Sequence, residues 1–136
     1  MSLRRLDDRL YVSGQIAPDA VAGLAEQGIT MLVNNRPDGE EPGQPLAADI
    51  EAAAQQAGIA YRSVPIARGI GPADIDAMEE AMAAAGDGKL LAFCRSGSRS
   101  ALTCGLAKSR SGASAGEVAE MLTAAGFDPG PIAHLL

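Results

Sequence analysis

A chain of 136 residues has room for a single domain, and its hydrophobic share of 47% is that of an ordinary globular protein. The net charge of −6 argues against nucleic acid as a partner, because backbone phosphates are bound by clustered Lys and Arg; it leaves room for a local positive loop that holds a small anion. One His, at position 134, excludes a multi-His metal site, and two Cys exclude a four-Cys zinc site and argue against a disulfide-stapled secreted domain.

No resident metal or cofactor is therefore expected. Aromatics make up 3% and Trp is absent, so Ala, Leu, Ile, Val and Met must fill the core. The first eight residues lack the apolar run of a signal peptide. No stretch of about 18 apolar residues is present, so no membrane association is expected. The expected setting is cytoplasmic, with both thiols reduced.

In chain order, Leu10-Tyr11-Val12-Ser13-Gly14 reads as a short strand ending in a turn. Ala17-Pro18-Asp19 starts a helix, Pro being suited to a first helical turn, and Gly28 stops it. Residues 29–34 form a mostly apolar run, the pattern of a strand buried on both faces. Residues 35–45 hold three Pro and two Gly and form a loop, long enough to suggest a functional role. A helix over 46–57 stops at Gly58, and a strand follows over 59–64. Residues 65–72 form a second loop, 73–85 a third helix, and Gly86-Asp87-Gly88 ends it. The strand 89–93 feeds directly into Cys94. Helices follow over 99–110 and 114–125, and a short tail with two Pro completes the chain.

Alternating strands and helices imply one α/β domain over residues 1–136. Its central sheet is mostly parallel, of about four strands, with helices on both faces. In such folds sites form beyond the carboxyl ends of the strands, which is where Cys94 falls.

The sequence Cys94-Arg95-Ser96-Gly97-Ser98-Arg99 places a thiol before a run of small residues, two Arg and a helix. Small residues let the backbone curl so that successive N–H groups face inward, and Gly97 can take a positive φ. A helix N-terminus and the Arg95 and Arg99 guanidiniums add positive potential. A thiol in such a setting ionises at about pH 3.5–7.5, and the thiolate is the nucleophile. The competing reading, a small buried Cys in an ordinary strand-to-helix turn, does not account for both Arg.

The loop Cys94 to Ser100 resembles the active-site loop of rhodaneses, the thiosulfate sulfurtransferases. It also resembles the phosphate loop of protein tyrosine phosphatases, which places five residues between Cys and Arg where this chain has four. The segments Leu10-Tyr11-Val12-Ser13-Gly14-Gln15, Gly28-Ile29-Thr30 and Asn34-Asn35-Arg36-Pro37-Asp38-Gly39-Glu40 resemble dual-specificity phosphatases. They are most similar to the bacterial beta-lactamase-hydrolase-like, phosphatase-like domain family, over nearly the whole chain. The resemblance implies a protein tyrosine phosphatase-like fold carrying a rhodanese-length loop. Family members are described as phosphatase-like or as sulfurtransferases, and some are fused to persulfide-oxidising enzymes. The implied partners are thus a small anionic substrate (thiosulfate, a persulfide or a phosphate) and an acceptor thiol or persulfide-oxidising enzyme.

Phosphate esters require a general acid for the leaving oxygen. The loop 65–72 contains no Asp or Glu, and Asp74 and Asp76 fall in a first helical turn, where acids favour the helix dipole. Expulsion of sulfite from thiosulfate needs no acid. The expected activity is therefore sulfur transfer through a Cys94 persulfide, with Cys94 and Arg99 catalytic and Arg95, Ser96, Gly97, Ser98 and Ser100 binding the anion. The alternatives are a phosphatase acting through a phosphocysteine, and a non-catalytic module that binds anions or senses oxidants through Cys94.

Other residues carry two readings each. Arg36 and Asp38 either line the substrate mouth or pair with each other on the surface, and Asp38 is the remaining candidate acid. Ser100 donates to the Cys94 sulfur or caps its helix. Cys104 resolves an oxidised Cys94 or, as its helical position favours, sits in the core. Arg68 lies at the pocket rim or in a solvated loop. His134, Glu40 and Glu41 read as solvated.

Overall fold

The computed structural model describes residues 3–136. Five strands form one sheet in the order β1-β2-β5-β3-β4. They are β1 (Arg4–Arg5), β2 (Leu10–Ser13), β3 (Ile29–Asn34), β4 (Ala60–Ser63) and β5 (Lys89–Phe93). All pairings are parallel except that of β1 with β2. The expected four strands thus become five. Arg4 and Arg5 pair with Val12 and Tyr11, and two exposed charged residues offer no apolar alternation by which a strand could be read.

The sheet is covered on both faces, by α1 (Val21–Glu26) and α2 (Ala47–Ala57) on one side and by α3 (Pro72–Ala85), α4 (Ser98–Arg110) and α5 (Ala115–Ala124) on the other. Side chains alternate along a strand, and β5 follows that rule. Leu91 and Phe93 join Val21, Leu24 and Ile50 in one core, while Leu90 and Ala92 join Met78, Leu106 and Val118 in the other. On β3 the register against β5 shifts between Ile29 and Met31. Ile29 therefore shares a core with Leu32, and Met31 shares the opposite one with Val33.

Boundaries follow local chemistry. Pro18–Ala20 form a 3-10 turn leading into α1, so the first helix begins later than its Pro suggests. Pro72 occupies the first position of α3, one residue earlier than expected. Gly58, at φ 74°, closes α2 in the left-handed conformation. Ser114 caps α5, accepting from the Glu117 N–H while Glu117 accepts from Ser114 N–H. No helix among the described residues is long and apolar enough to cross a membrane.

Candidate active site

Parallel register places Ser13, Phe93, Asn34 and Ser63 in one row at the carboxyl edge of the sheet. The next residue of each strand, Gly14, Cys94, Asn35 and Val64, therefore forms the floor of one site. Backbone hydrogen bonds extend the row past the strands: Cys94 N–H to Ser13 O (3.3 Å), Asn35 N–H to Phe93 O (2.8 Å), and Ile66 N–H to Asn35 O (2.9 Å). The segment after Cys94 is pinned in turn, since Gln15 N–H donates to Arg95 O at 3.3 Å. That contact explains Gly14: a Cβ there would stand 2.9 Å from Arg95 O.

Cys94 leaves β5 and is buried, with 1% exposed. Gly97, at φ 98°, precedes α4 in the left-handed conformation, and its N–H donates to Cys94 Sγ at 3.1 Å. Burial pushes the thiol pKa up. The Ser100, Gly97 and Ser96 amides and the Ser100 hydroxyl pull it down by more, so the net direction is below an ordinary thiol. Ser96 and Ser98 are exposed on the outer side of the loop, their hydroxyls 3.4 Å apart. Ser100 is fully buried, and its hydroxyl donates to Asn35 Oδ1 at 2.8 Å. Asn35 is oriented by its other end, where Nδ2 donates to Val64 O at 3.0 Å.

Arg99 is held as a fork. Nη1 donates to Glu40 Oε2 (2.8 Å) and to Ile66 O (2.7 Å), and Nη2 donates to Glu40 Oε1 (2.7 Å). A guanidinium has five N–H donors. The three used leave the Nε–H and the second Nη2–H, which form one planar edge suited to a bidentate anion. Glu40, and to a lesser degree Cys94, hold Arg99 charged.

Arg36 is buried beneath this network. Its guanidinium reaches Glu40 Oε1 (2.9 Å), Glu41 Oε1 (3.0 Å) and Gln15 Oε1 (3.1 Å). Glu41 also approaches Arg95 at 3.4 Å. Arg36 thus belongs to the site through Glu40 rather than pairing with Asp38. Glu40 is exposed, as expected, but its carboxylate is not free: Arg99 and then Arg36 bring it down to about 2, against an opposing effect of desolvation. Both carboxylates pair with Arg36 of their own loop, four and five residues away, but their meeting with Arg99 and Arg95 spans more than fifty residues, and no local pattern marks that part.

Asp38 does not face the thiol. Its Oδ1 accepts from Ala47 N–H at 2.8 Å, capping the start of α2. Asp74 similarly accepts from Gly71 N–H at the start of α3, and Asp76 pairs with Arg110. Arg68 and His134 are exposed. Cys104 is fully buried, its thiol pushed up to about 12 chiefly by burial, which fits a core residue and not a resolving thiol. Both cysteines are free. A cavity of about 520 Å³ opens at the opposite end of the sheet, against Asp7, Arg9, Met82 and Lys108, and Cys94 does not line it.

Comparison with known proteins agrees with this geometry. A beta-lactamase hydrolase-like protein of Xylella fastidiosa is 39% identical over 132 residues, which is 96% of this chain but 30% of that protein. The chain therefore spans about a third of the length of this curated relative. A candidate phosphatase from Neisseria meningitidis has the same fold at a TM-score of 0.81 and 30% identity, over 99% of this chain and 96% of its own. Pseudomonas aeruginosa TpbA, crystallised as a cysteine-to-serine variant in complex with phosphotyrosine, shares the fold alone at 20% identity and TM-score 0.67, over 98% of this chain and 80% of its own. These relatives favour the phosphatase-like alternative over the expected sulfur transfer. The profile of the beta-lactamase hydrolase-like protein, phosphatase-like domain matches residues 2–126, and the chain belongs to that family.

Proposed function

We propose that this domain is a cysteine-dependent enzyme of the phosphatase type, in which the Cys94 thiolate attacks a small anionic substrate. The observation that carries the reading is the Cys94 sulfur in its nest, with Gly97 N–H donating at 3.1 Å and the free edge of Arg99 available for the anion. Family membership, and the fold shared with a protein crystallised in complex with phosphotyrosine, support phosphoryl transfer. In that reaction the Cys94 sulfur bonds to phosphorus, the P–O bond breaks, and the leaving oxygen takes the electron pair. Water then attacks the phosphocysteine, releasing phosphate and regenerating the thiolate. Arg99 and the loop amides from Arg95 to Ser100 hold the equatorial oxygens.

One observation favours a second reading. The candidate acids are engaged elsewhere: Asp38 and Asp74 cap helices, and Glu40 stays ionised against Arg99. A leaving alkoxide would have to draw its proton from water. Leaving groups stable as anions escape that demand. In sulfur transfer from thiosulfate, the thiolate bonds to the outer sulfur, the S–S bond breaks and sulfite leaves with the electron pair. The Cys94 persulfide then passes its outer sulfur to an acceptor thiolate or to cyanide. A domain of this kind would suit fusion or association with a persulfide-oxidising enzyme.

Parallel assays decide between them: 4-nitrophenyl phosphate hydrolysis against thiocyanate formation from thiosulfate and cyanide, with the mass of Cys94 followed in each. Phosphate release that Cys94→Ser abolishes supports the first reading. A gain of one sulfur atom on Cys94, removed by cyanide, supports the second. Turnover that survives Cys94→Ser would overturn both.

A further inference from the structure

Gly97 is buried, although Ser96 and Ser98 on either side of it are exposed. Two groups cover it: a Cβ at Gly97 would stand 3.4 Å from the Ser13 carbonyl carbon and 3.5 Å from Cζ of Phe127. The Ser13 carbonyl is itself fixed, because its oxygen accepts from Cys94 N–H. The Phe127 ring therefore closes the open side of the turn whose amide donates to the Cys94 sulfur. The end of α5 delivers that ring. Gly126, at φ 90°, turns the chain in the left-handed conformation, Gly126 N–H donates to Thr123 O (3.0 Å), and Phe127 N–H donates to Leu122 O (2.9 Å). The ring packs against the core that holds Val118 and Leu122. On β1, the Arg4 guanidinium lies 5.3 Å from the ring centroid while its Nη1 donates to Ala125 O at 2.9 Å. Arg4 thus ties the ring and the end of α5 to the sheet.

We propose that Phe127 is a positioning residue for the Cys94 thiolate: its ring wedges the Gly97 turn against Ser13 and keeps the Gly97 amide aimed at the sulfur. The inference rests on the reading of Cys94 as the nucleophile and adds a residue outside the catalytic loop. Phe127 acts through Gly97 and takes no part in the reaction itself. The wedge matters because the turn hinges on a glycine, the residue with the least backbone restraint of its own. Van der Waals contact is short-ranged, so a ring tip against the turn resists its outward movement and a gap does not. An apolar side chain that served the core alone would affect stability and leave the thiol unchanged.

The test compares the pH midpoint of Cys94 alkylation by iodoacetamide, read by mass spectrometry, in the native protein and three variants. Phe127→Ala should raise the midpoint by about one pH unit, the scale of one hydrogen bond to a charged group. Phe127→Met, whose side chain reaches nearly as far as the ring, should recover most of that shift. Ile132→Ala truncates a buried side chain of the same tail that packs on Gly105 and not on Gly97. It should lower the melting temperature and leave the midpoint where it was. A midpoint in Phe127→Ala equal to that of the native protein, or an equal shift in Ile132→Ala, would overturn the positioning role while the thiolate reading stands. A native midpoint no lower than that of an ordinary thiol would overturn the thiolate reading, and the positioning role with it.

Discussion

The hydroxyl of Ser100 donates to Asn35 Oδ1 at 2.8 Å, and the same hydroxyl also stabilises the negative charge of the Cys94 sulfur. A hydroxyl has one proton, and Asn35 Oδ1 can only accept because Nδ2 is fixed on Val64 O. Cys94 and Asn35 therefore compete for one donor. Removing each partner should move the thiol in opposite directions. Ser100→Ala raises the pH midpoint of Cys94 alkylation by deleting a donor. Asn35→Ala frees the hydroxyl for the sulfur and lowers the midpoint, while leaving Val64 O unpaired at a cost of about 1–3 kcal/mol in stability. Midpoints that move the same way in both variants would refute the competition.

The two thiols should differ sharply in reactivity. Cys94 lies below an ordinary thiol, while burial pushes Cys104 up to about 12. Iodoacetamide at pH 6, read for each cysteine by mass spectrometry, should label Cys94 and leave Cys104 untouched until denaturant is added. Sulfate and methanesulfonate should slow the first reaction only. Equal labelling of the native protein at pH 6 would remove the basis for a thiolate at Cys94.

Gly97 is the conformational hinge of the loop. It sits at φ 98°, and a Cβ there would meet Ser13 backbone at 3.4 Å and the Phe127 ring at 3.5 Å. Gly97→Ala should cost about 1–2 kcal/mol for the left-handed backbone alone. It should also turn the amide that donates to Cys94, so the alkylation midpoint rises even in a protein that melts within a few degrees of the parent. Arg99→Lys keeps the charge but lacks the fork that holds both Glu40 and an anion, and should lose about 10²-fold in turnover, as for other preorganised donors. Full activity in Arg99→Lys would show that charge alone suffices.

The fold is legible in the sequence because its signals are local. The run Lys89–Phe93 is a strand in sequence and in space, Gly58 stops α2, and Cys94 falls at the carboxyl edge that α/β topology predicts. The cradle is legible for the same reason, being a run of consecutive residues. The contacts that set its charge are not. Glu40 and Arg99 lie 59 residues apart and Ser100 and Asn35 lie 65 apart, and only the parallel register of β3 and β5 brings them together. Arg36 reads from sequence either as a mouth residue or as half of a surface pair with Asp38. Its actual partners are two carboxylates of its own loop and Gln15 of another, and the composition of a polar loop does not choose among them. Asp38, a candidate acid by composition, is consumed by the backbone of α2.

Acid stability tests the ion-pair network directly. Arg99, and then Arg36, bring the Glu40 carboxyl from 4.5 in the unfolded chain to about 2 in the fold, against the opposing effect of burial. A group whose pKa is depressed on folding stabilises the fold above its unfolded value and loses that contribution as pH falls through its folded one. Glu40 thus stabilises fully above about pH 4.5, and its contribution declines between there and pH 2. Urea unfolding at about pH 7, 4 and 2.5 measures this, since those values bracket the folded and unfolded pKa. The native protein should lose stability as pH falls from 4.5 toward 2. Glu40→Gln should be less stable at neutral pH and should lose less of what remains on acidification, so that the two curves converge toward pH 2. Parallel curves with a constant gap would mean that Glu40 contributes through packing rather than charge, and that Arg99 is positioned by Ile66 O alone.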